Sequence, residues 1–221
     1  MPLQSVTFDL DGTLLDTALD LSVACNRMLA ELGLPSRSEA EIRRFVGKGM
    51  AVLVERCLTW EAVPETSLVE AGIAIFRRCY AEENGRAARP YPGVLEGLAA
   101  WQATGLPLAV VTNKPMAFTL PLLQQTGLDG YFQVVVGGDS TPYKKPHPEP
   151  LRHACRQMGV APSSNLHIGD SVNDALAARA AGSLAYLVPY GYTEGEPVDS
   201  ADCDALVSDL LAAWRQARSH I

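Results

Sequence analysis

The stretch that decides the fold lies near the start of the chain and reads Ser5-Val6-Thr7-Phe8-Asp9-Leu10-Asp11-Gly12-Thr13. Residues 6–8 are β-formers, which predicts a short buried strand. Asp9 and Asp11 follow where that strand ends, and Gly12 lets the backbone enter a turn. Because residues two apart on a strand point the same way, both carboxylates address one small volume and repel each other unless a cation lies between them. Taken alone, such a motif also suits a polar strand end whose aspartates cap the next turn.

The composition is that of an ordinary globular protein. The chain has 221 residues, 48% of them hydrophobic and 19% charged, a size that suits one domain with an insertion or two small domains. The formal net charge of −7 argues against a nucleic-acid-binding surface, although a small phosphate responds to local charge only. No basic N-terminal region precedes an apolar run, and no apolar stretch approaches the roughly 20 residues of a membrane span. We therefore expect neither nucleic-acid nor membrane partners.

The five cysteines are scattered along the chain, odd in number and without a C-x-x-C pair. This pattern argues against disulfide bonds and a zinc site, and it favours a reducing cytoplasm. Cysteines of this kind usually fill core or surface positions. The composition is compatible with either a monomer or a homodimer.

Residues 16–86 predict about four helices and no convincing strand. Thr17 with Asp20, and Ser38 with Glu41, are cap signals at the start of the first two helices. The later helices are expected at about 51–58 and 67–83. Such a block is long enough for a small helical bundle.

After the linker at 86–93 the pattern changes to strands that alternate with helices. The strands are expected at 107–111, 133–136, 165–168 and 184–188, and the helices at 94–104, 116–126, 148–158, 172–181 and 204–217. Alternation at this spacing indicates a parallel sheet covered on both faces, to which the first strand also belongs. We therefore predict an α/β fold in which a Rossmann-like parallel-sheet core, residues 1–15 and 87–221, carries an inserted helical-bundle cap, residues 16–86.

Polar side chains follow four strands of this sheet, and ligands bind at the carboxyl ends of parallel strands. They are Asp9 and Asp11, then Thr112 and Asn113, then Lys145, then Asp170 and Asp174. Several carboxylates in one place need a hard divalent cation, and oxygen ligands beside a phosphate favour Mg²⁺. A lysine, a hydroxyl and an amide suit phosphate oxygens. One carboxylate can attack phosphorus, and a second can protonate the departing alkoxide.

These motifs, in this order, resemble those of the haloacid dehalogenase-like phosphohydrolases. The motifs are Asp9-Leu10-Asp11-Gly12-Thr13, Val111-Thr112-Asn113, Lys145-Pro146, and Gly169-Asp170 with Asp174. The resemblance implies that Asp9 is the nucleophile and Asp11 the general acid and then base. It further implies metal binding by Asp9, the Asp11 backbone carbonyl and Asp170, with Asp174 in support, and phosphate binding by Thr112, Asn113 and Lys145. The helical insertion looks like the family's cap, which closes over the site and chooses the substrate.

Further segments look like those of the bacterial phosphoglycolate phosphatases. They are Val46-Gly47-Lys48-Gly49, Tyr91-Pro92-Gly93-Val94, Val111-Thr112-Asn113-Lys114-Pro115, Lys145-Pro146-His147-Pro148 and Pro189-Tyr190-Gly191-Tyr192. This resemblance implies a cytoplasmic Mg²⁺-dependent phosphatase of carbohydrate metabolism that hydrolyses 2-phosphoglycolate through an aspartyl-phosphate. The alternatives are a related phosphatase or mutase acting on a sugar phosphate and, more remotely, a non-enzymatic phospho-receiver domain. The second aspartate of the D-x-D motif weighs against a dehalogenase proper, whose halide leaving group needs no proton.

The expected substrate is a small phosphorylated carboxylic acid, and its carboxylate calls for a cation outside the core motifs. Arg43, Arg44 and Lys48 lie in the cap beside a glycine-flanked turn, a form suited to close approach of backbone and charge to a ligand. We predict that at least one of them selects the substrate, with Lys48 as the leading candidate.

Three polar residues beside the motifs receive no catalytic role. Lys114 adjoins the second motif but precedes a proline. His147 lies between two prolines, which favours a turn that leads into a helix. His167 lies inside an apolar strand and is interpreted as a core histidine.

Overall fold

The computed structural model of the protein describes residues 2–60, 62–195, 198 and 201–220. Its strands in chain order are β1 (Ser5–Phe8), β2 (Leu15–Asp16), β3 (Arg89–Pro90), β4 (Leu108–Val111), β5 (Val134–Val136), β6 (Asn165–Gly169), β7 (Leu184–Leu187) and β8 (Ala205–Leu206). Within the described residues, six strands form one parallel sheet in the order β5-β4-β1-β6-β7-β8. The predicted fold class, a parallel α/β core with an inserted helical bundle, is confirmed.

The helices lie between these strands at nearly the predicted positions. They are α1 (Ala18–Glu31), α2 (Glu39–Phe45), α3 (Met50–Leu58), α4 (Thr66–Glu83), α5 (Val94–Gln102), α6 (Met116–Gln125), α7 (Glu149–Met158), α8 (Val172–Ala181) and α9 (Leu210–Ala217). None of the described helices is both long and apolar enough to cross a membrane.

The last helix begins later than predicted. Residues 204–209 were expected to be helical, but Ala205 and Leu206 form β8, which pairs in parallel with β7. The side chain of Asp209 then accepts a hydrogen bond from the backbone N–H of Ala212 at 2.7 Å and so caps α9. A two-residue strand is too short to show the alternation of apolar and polar residues that predicts a strand. The helical pattern of the residues that follow was therefore extended over β8.

Strand β1 lies at the centre of the sheet and is buried along its whole length. It pairs with β4 on one side and with β6 on the other. Its polar residue Thr7 is satisfied inside the core, since its hydroxyl lies 2.9 Å from Nδ1 of His167. His167 is itself buried on β6, which confirms that it is a core histidine. The central position of β1 carries Asp9 and Asp11 to the middle of the carboxyl edge.

Helices α1–α4 follow one another between β2 and β3. These two short strands form an antiparallel ribbon where the chain enters and leaves the helical block. The prediction of no strand within residues 16–86 was therefore wrong at Asp16, which belongs to β2. The block has its own cluster of buried side chains, including Met28, Cys57 and Phe76. The domain boundaries at 15/16 and 86/87 stay predictions.

One of the two predicted cap signals works as expected. Ser38 and Glu41 form a capping box at the start of α2. Thr17 does not cap α1, because its hydroxyl donates to Asp11 Oδ1 at 2.7 Å instead. Asp20 accepts hydrogen bonds from the N–H groups that follow α4, including Gly85 at 2.9 Å. Spacing along the chain identifies residues that are able to cap a helix. The same side chain can instead form its hydrogen bond with a residue that is distant in the sequence.

Candidate active site

The polar residues predicted from the motifs meet at the carboxyl edge of the sheet. The register aligns Phe8 of β1 with Val110 of β4 and with Ile168 of β6. Asp9, Thr112 and Asp170 therefore follow on three adjacent strands. Lys145 reaches the same place from the loop after β5, because its Nζ lies 2.8 Å from Asp9 Oδ1.

A cluster of three carboxylates forms the centre of this edge. Asp9, Asp170 and Asp174 each contribute an oxygen, and these oxygens all lie within 4.8 Å of one another. Lys145 Nζ also lies 2.6 Å from Asp174 Oδ1 and donates to the Val111 carbonyl at 2.7 Å. The Lys145 ammonium contacts two of the three carboxylates, so the cluster carries an excess of negative charge. This set of hard oxygen donors fits a divalent cation such as Mg²⁺.

The carboxylates of the cluster differ in their acidity. Burial raises the pKa of Asp9 to about 6, although Lys145 opposes the shift. Burial and the charge of Asp9 also raise the pKa of Asp170 well above its usual range. Burial acts on Asp174 as well, but Lys145 and His167 outweigh it and hold the pKa of Asp174 below its usual range. Asp174 is thus a fixed anion, whereas Asp9 and Asp170 gain from a further cation.

Asp174 is oriented by donors from the protein. Its Oδ1 receives Lys145 and lies 3.1 Å from Nε2 of His167, and its Oδ2 accepts the Ser171 hydroxyl at 2.6 Å. Oδ2 also accepts from the backbone N–H groups of Asp170 and Ser171, so each oxygen of Asp174 has at least two partners. This suits a residue that orients its neighbours.

Asp170 lies against a backbone with no room for a side chain. Its Oδ1 accepts the Thr13 hydroxyl at 2.8 Å, and its Oδ2 accepts the N–H of Tyr192. A Cβ on Gly12, whose φ is +91°, would lie 2.2 Å from Asp170 Oδ2, and one on Gly191 would lie equally close. Both glycines are thus needed for the turns to approach this carboxylate.

Asn113 joins three segments around the predicted phosphate site. Its Oδ1 accepts the N–H of Lys145 at 2.9 Å, and its Nδ2 donates to the carbonyls of Lys145 and Gly47, both at 2.9 Å. Thr112 is buried beside it and lines the cavity described below. The amide of Asn113 holds the Lys145 segment and the cap in place, and its contact with phosphate stays a prediction.

Asp11 has a different set of partners from Asp9. Lys114 Nζ lies 3.0 Å from its Oδ1 and 3.1 Å from its Oδ2, and the Thr17 hydroxyl donates to Oδ1. Lys114 also donates to the hydroxyl of Tyr80, on α4 of the cap, at 2.6 Å. Burial opposes the charge of Lys114, but Asp11 and Tyr80 raise its pKa above the usual range. Sequence reasoning gave Lys114 no role, although it lies two residues after Thr112 and could reach the same edge.

A cavity of about 50 Å³ lies between the cap and the core. Its floor includes Asp9, Asp11 and Lys114. Its walls are largely apolar, with contributions from Leu21, Val46, Met50, Leu53, Phe76 and Phe118. The cavity therefore places a few charged groups under an apolar roof.

The three predicted cap cations do not line this cavity in the described part of the chain. Arg43 pairs with Asp16 at 3.0 Å, where the chain enters the cap. Arg44 is exposed. Lys48 is also exposed, and its Nζ lies 3.7 Å from Glu194 Oε2. The backbone beside Lys48 does reach the cavity, through Gly47 and Gly49.

Several polar contacts hold the cap against the core. Besides the contacts of Asn113 and Lys114, Asn84 donates to the Phe118 carbonyl at 2.9 Å. Glu194, on the loop after β7, pairs with Arg56 of α3 at 2.7 Å and accepts from Asn173. These contacts join the cap to the core beside the carboxylates, and motif spacing carried no signal for Glu194.

A family model, described as haloacid dehalogenase-like hydrolase, matches residues 6–188. The chain belongs to this family. The match covers the inserted helices and the sheet except for β8, and it confirms the family predicted from the four motifs.

Named relatives cover nearly the whole chain. A phosphoglycolate phosphatase of Thiobacillus denitrificans is 48% identical over 96% of this chain and 95% of its own length. A crystal structure of a predicted phosphoglycolate phosphatase from Haemophilus somnus matches with a TM-score of 0.91 and 34% identity, over 97% of each chain. CbbY from Rhodobacter sphaeroides, in a crystal structure with phosphate, matches with a TM-score of 0.76 and 26% identity, over 95% of each chain. The first two of these relatives are phosphatases by name, and both solved structures share the fold of this chain.

Proposed function

We propose that this protein is a Mg²⁺-dependent phosphatase that hydrolyses 2-phosphoglycolate to glycolate and phosphate through an aspartyl-phosphate. The observation that carries the proposal is the small cavity between cap and core with Asp9, Asp11 and Lys114 on its floor. The relatives named phosphoglycolate phosphatase support the substrate.

The proposed reaction has two steps. An oxygen of Asp9 attacks phosphorus and the P–O bond to glycolate breaks, while the carboxyl of Asp11 gives its proton to the departing oxygen. Water then attacks phosphorus, Asp11 takes up its proton, and the bond from Asp9 to phosphorus breaks. Lys145, 2.8 Å from Asp9, is placed to offset the charge of phosphate oxygens, with Thr112 beside it.

The carboxylate cluster is proposed to hold the metal through Asp9, Asp170 and the backbone carbonyl of Asp11, with Asp174 orienting its neighbours. When bound, Mg²⁺ supplies positive charge for the phosphate oxygens. The cluster supports this assignment by its excess of negative charge, and the donors already bound to Asp174 suit its supporting role.

Metal binding is expected to weaken as the pH falls, because Mg²⁺ must displace the proton of Asp9. Burial raises the pKa of Asp9 to about 6, so the carboxylate is ionised above that pH and protonated below it. The rise in melting temperature on adding Mg²⁺ should therefore be larger at about pH 7.5 than at about pH 5, where affinity falls roughly tenfold. Thermal melting at both pH values measures it. Equal rises at the two values would contradict metal binding at Asp9.

The cavity favours a short leaving group. A single water needs roughly 10–15 Å³ of such space, so a cavity of about 50 Å³ corresponds to a few water-sized groups. The apolar walls offer few partners to sugar hydroxyls, and each buried hydroxyl without a partner costs about 1–3 kcal/mol. A two-carbon acid phosphate therefore fits better than a sugar phosphate, which is the alternative substrate class.

The part played by Arg43, Arg44 and Lys48 stays a prediction. Lys48 keeps the strongest case of the three, because its neighbours Gly47 and Gly49 line the cavity. We further propose a cytoplasmic protein, since its cysteines are free thiols that suit a reducing compartment. A monomer and a homodimer both accommodate a site built within one chain.

A panel of phosphate esters tests the substrate. At limiting concentration with Mg²⁺, kcat/KM should be highest for 2-phosphoglycolate and about ten- to a hundredfold lower for ethyl phosphate, which lacks a carboxylate. Glucose 6-phosphate represents the sugar esters and should be poorer still. The Asp9→Asn protein, purified in parallel, controls for a contaminating phosphatase. A sugar phosphate as the preferred substrate would refute the proposal.

A further inference from the structure

Lys114 is a buried cation on the floor of the cavity. No other described residue that lines this cavity carries a positive charge. The side chain of Lys114 is only 4% exposed. By contrast, the side chain of Lys48 is 48% exposed. A charge–charge contact strengthens as water is excluded, so a buried lysine is better suited to recognise an anion than an exposed one.

The ammonium of Lys114 has bonding capacity left. It carries three N–H donors and no acceptor. Its recorded partners are the carboxylate of Asp11 and the hydroxyl of Tyr80. The two Asp11 oxygens belong to one carboxylate, at 3.0 and 3.1 Å from Nζ, so a single N–H shared between them would leave a third donor for a ligand in the cavity that the residue borders.

We propose that Lys114 binds the carboxylate of the substrate and selects phosphorylated 2-hydroxy acids over uncharged phosphate esters. This inference rests on the proposed function. In phosphoglycolate a single CH₂ separates the ester oxygen from the carboxyl carbon, so the carboxylate lies about 3 Å from the ester oxygen. Asp11 must come within hydrogen-bond reach of that ester oxygen to protonate it. Lys114 Nζ lies 3.0 Å from Asp11, so the same pose brings the carboxylate to the ammonium.

Tyr80 positions this ammonium. Its ring stacks on Phe76 with centroids 5.3 Å apart and meets the edge of Phe118 at 5.0 Å, so the hydroxyl is fixed. Because Tyr80 belongs to α4, its contact with Lys114 joins the cap to the core. Closure of the cap therefore completes the subsite for the carboxylate.

The test compares kcat/KM for 2-phosphoglycolate with kcat/KM for ethyl phosphate in a set of variants. Lys114→Met and Lys114→Gln should lower the ratio of the two values about ten- to a hundredfold, the size of a charge-assisted contact. Glutamine keeps donors for Asp11 and Tyr80, so Lys114→Gln separates charge from packing. Tyr80→Phe should lower the ratio about threefold or more, mainly through KM for phosphoglycolate. Arg77→Met, at an exposed cation of α4 that does not line the cavity, is the control and should keep the parent ratio.

The outcomes separate this inference from the proposed function. A parent protein without preference for phosphoglycolate would refute the proposed function. A parent preference that survives in Lys114→Gln would overturn the inference alone, as would a loss of preference in Lys48→Met but not in the Lys114 variants. An equal loss on both substrates would mean that Lys114 only orients Asp11. If circular dichroism shows that neither Lys114 variant folds, Tyr80→Phe decides, and an unchanged ratio there overturns the inference.

Discussion

Asp9→Asn is expected to lower phosphatase turnover by several orders of magnitude while the protein stays folded. The amide matches the carboxylate in volume but is a poor nucleophile and a weaker metal ligand. The uncatalysed hydrolysis of a phosphate monoester is among the slowest reactions known, so losing the nucleophile leaves little residual rate. Single-turnover and steady-state rates on 2-phosphoglycolate measure the effect. Asp129→Asn, at an exposed aspartate far along the chain, is the matched control.

The stability of the same variant gives an independent readout. Burial raises the pKa of Asp9 to about 6, so the native state binds its proton more tightly than the unfolded chain does. Above that pH, keeping Asp9 ionised costs folding free energy in the metal-free protein, and a neutral amide removes the cost. Without Mg²⁺, Asp9→Asn should therefore melt at or above the parent temperature near neutral pH. A folded variant with a rate near that of the parent would refute the role of Asp9 as nucleophile.

Asp11→Asn is expected to reduce hydrolysis of alkyl esters about 10²–10⁴-fold and to affect acyl phosphates much less. An alkoxide leaving group needs a proton, whereas acetate leaves without one. Ethyl phosphate and acetyl phosphate form a suitable pair because both have two carbons and suit the small cavity. The measured quantity is the ratio of the two kcat/KM values in the variant and the parent.

The result distinguishes an acid from a structural residue. Asp11 also holds Lys114 and Thr17, so its replacement will disturb both partners. That disturbance acts on either substrate, whereas the missing proton affects only the alkyl ester. Equal losses on ethyl phosphate and acetyl phosphate would mean that Asp11 serves geometry or metal binding and not proton transfer.

The sequence by itself determined the α/β fold and the convergence of the motif residues. Three of the four motifs are a strand followed at once by a polar residue, as at Asp9 after β1 and Asp170 after β6, and Lys145 lies on the loop after β5. Strand, turn and side-chain direction are local properties, and the carboxyl ends of parallel strands share one edge. The short motifs were therefore enough to bring Asp9, Lys145 and Asp170 together before any distance was known.

Only the tertiary structure decided which partner each polar side chain takes. Lys114 meets Asp11 across 103 positions of sequence and meets Tyr80 from the cap, and no local pattern encodes either contact. Arg43, one of the three cap cations considered for substrate selection, pairs with Asp16. The physical reason is that a long charged side chain reaches several elements, and the nearest opposite charge depends on how the cap packs on the core.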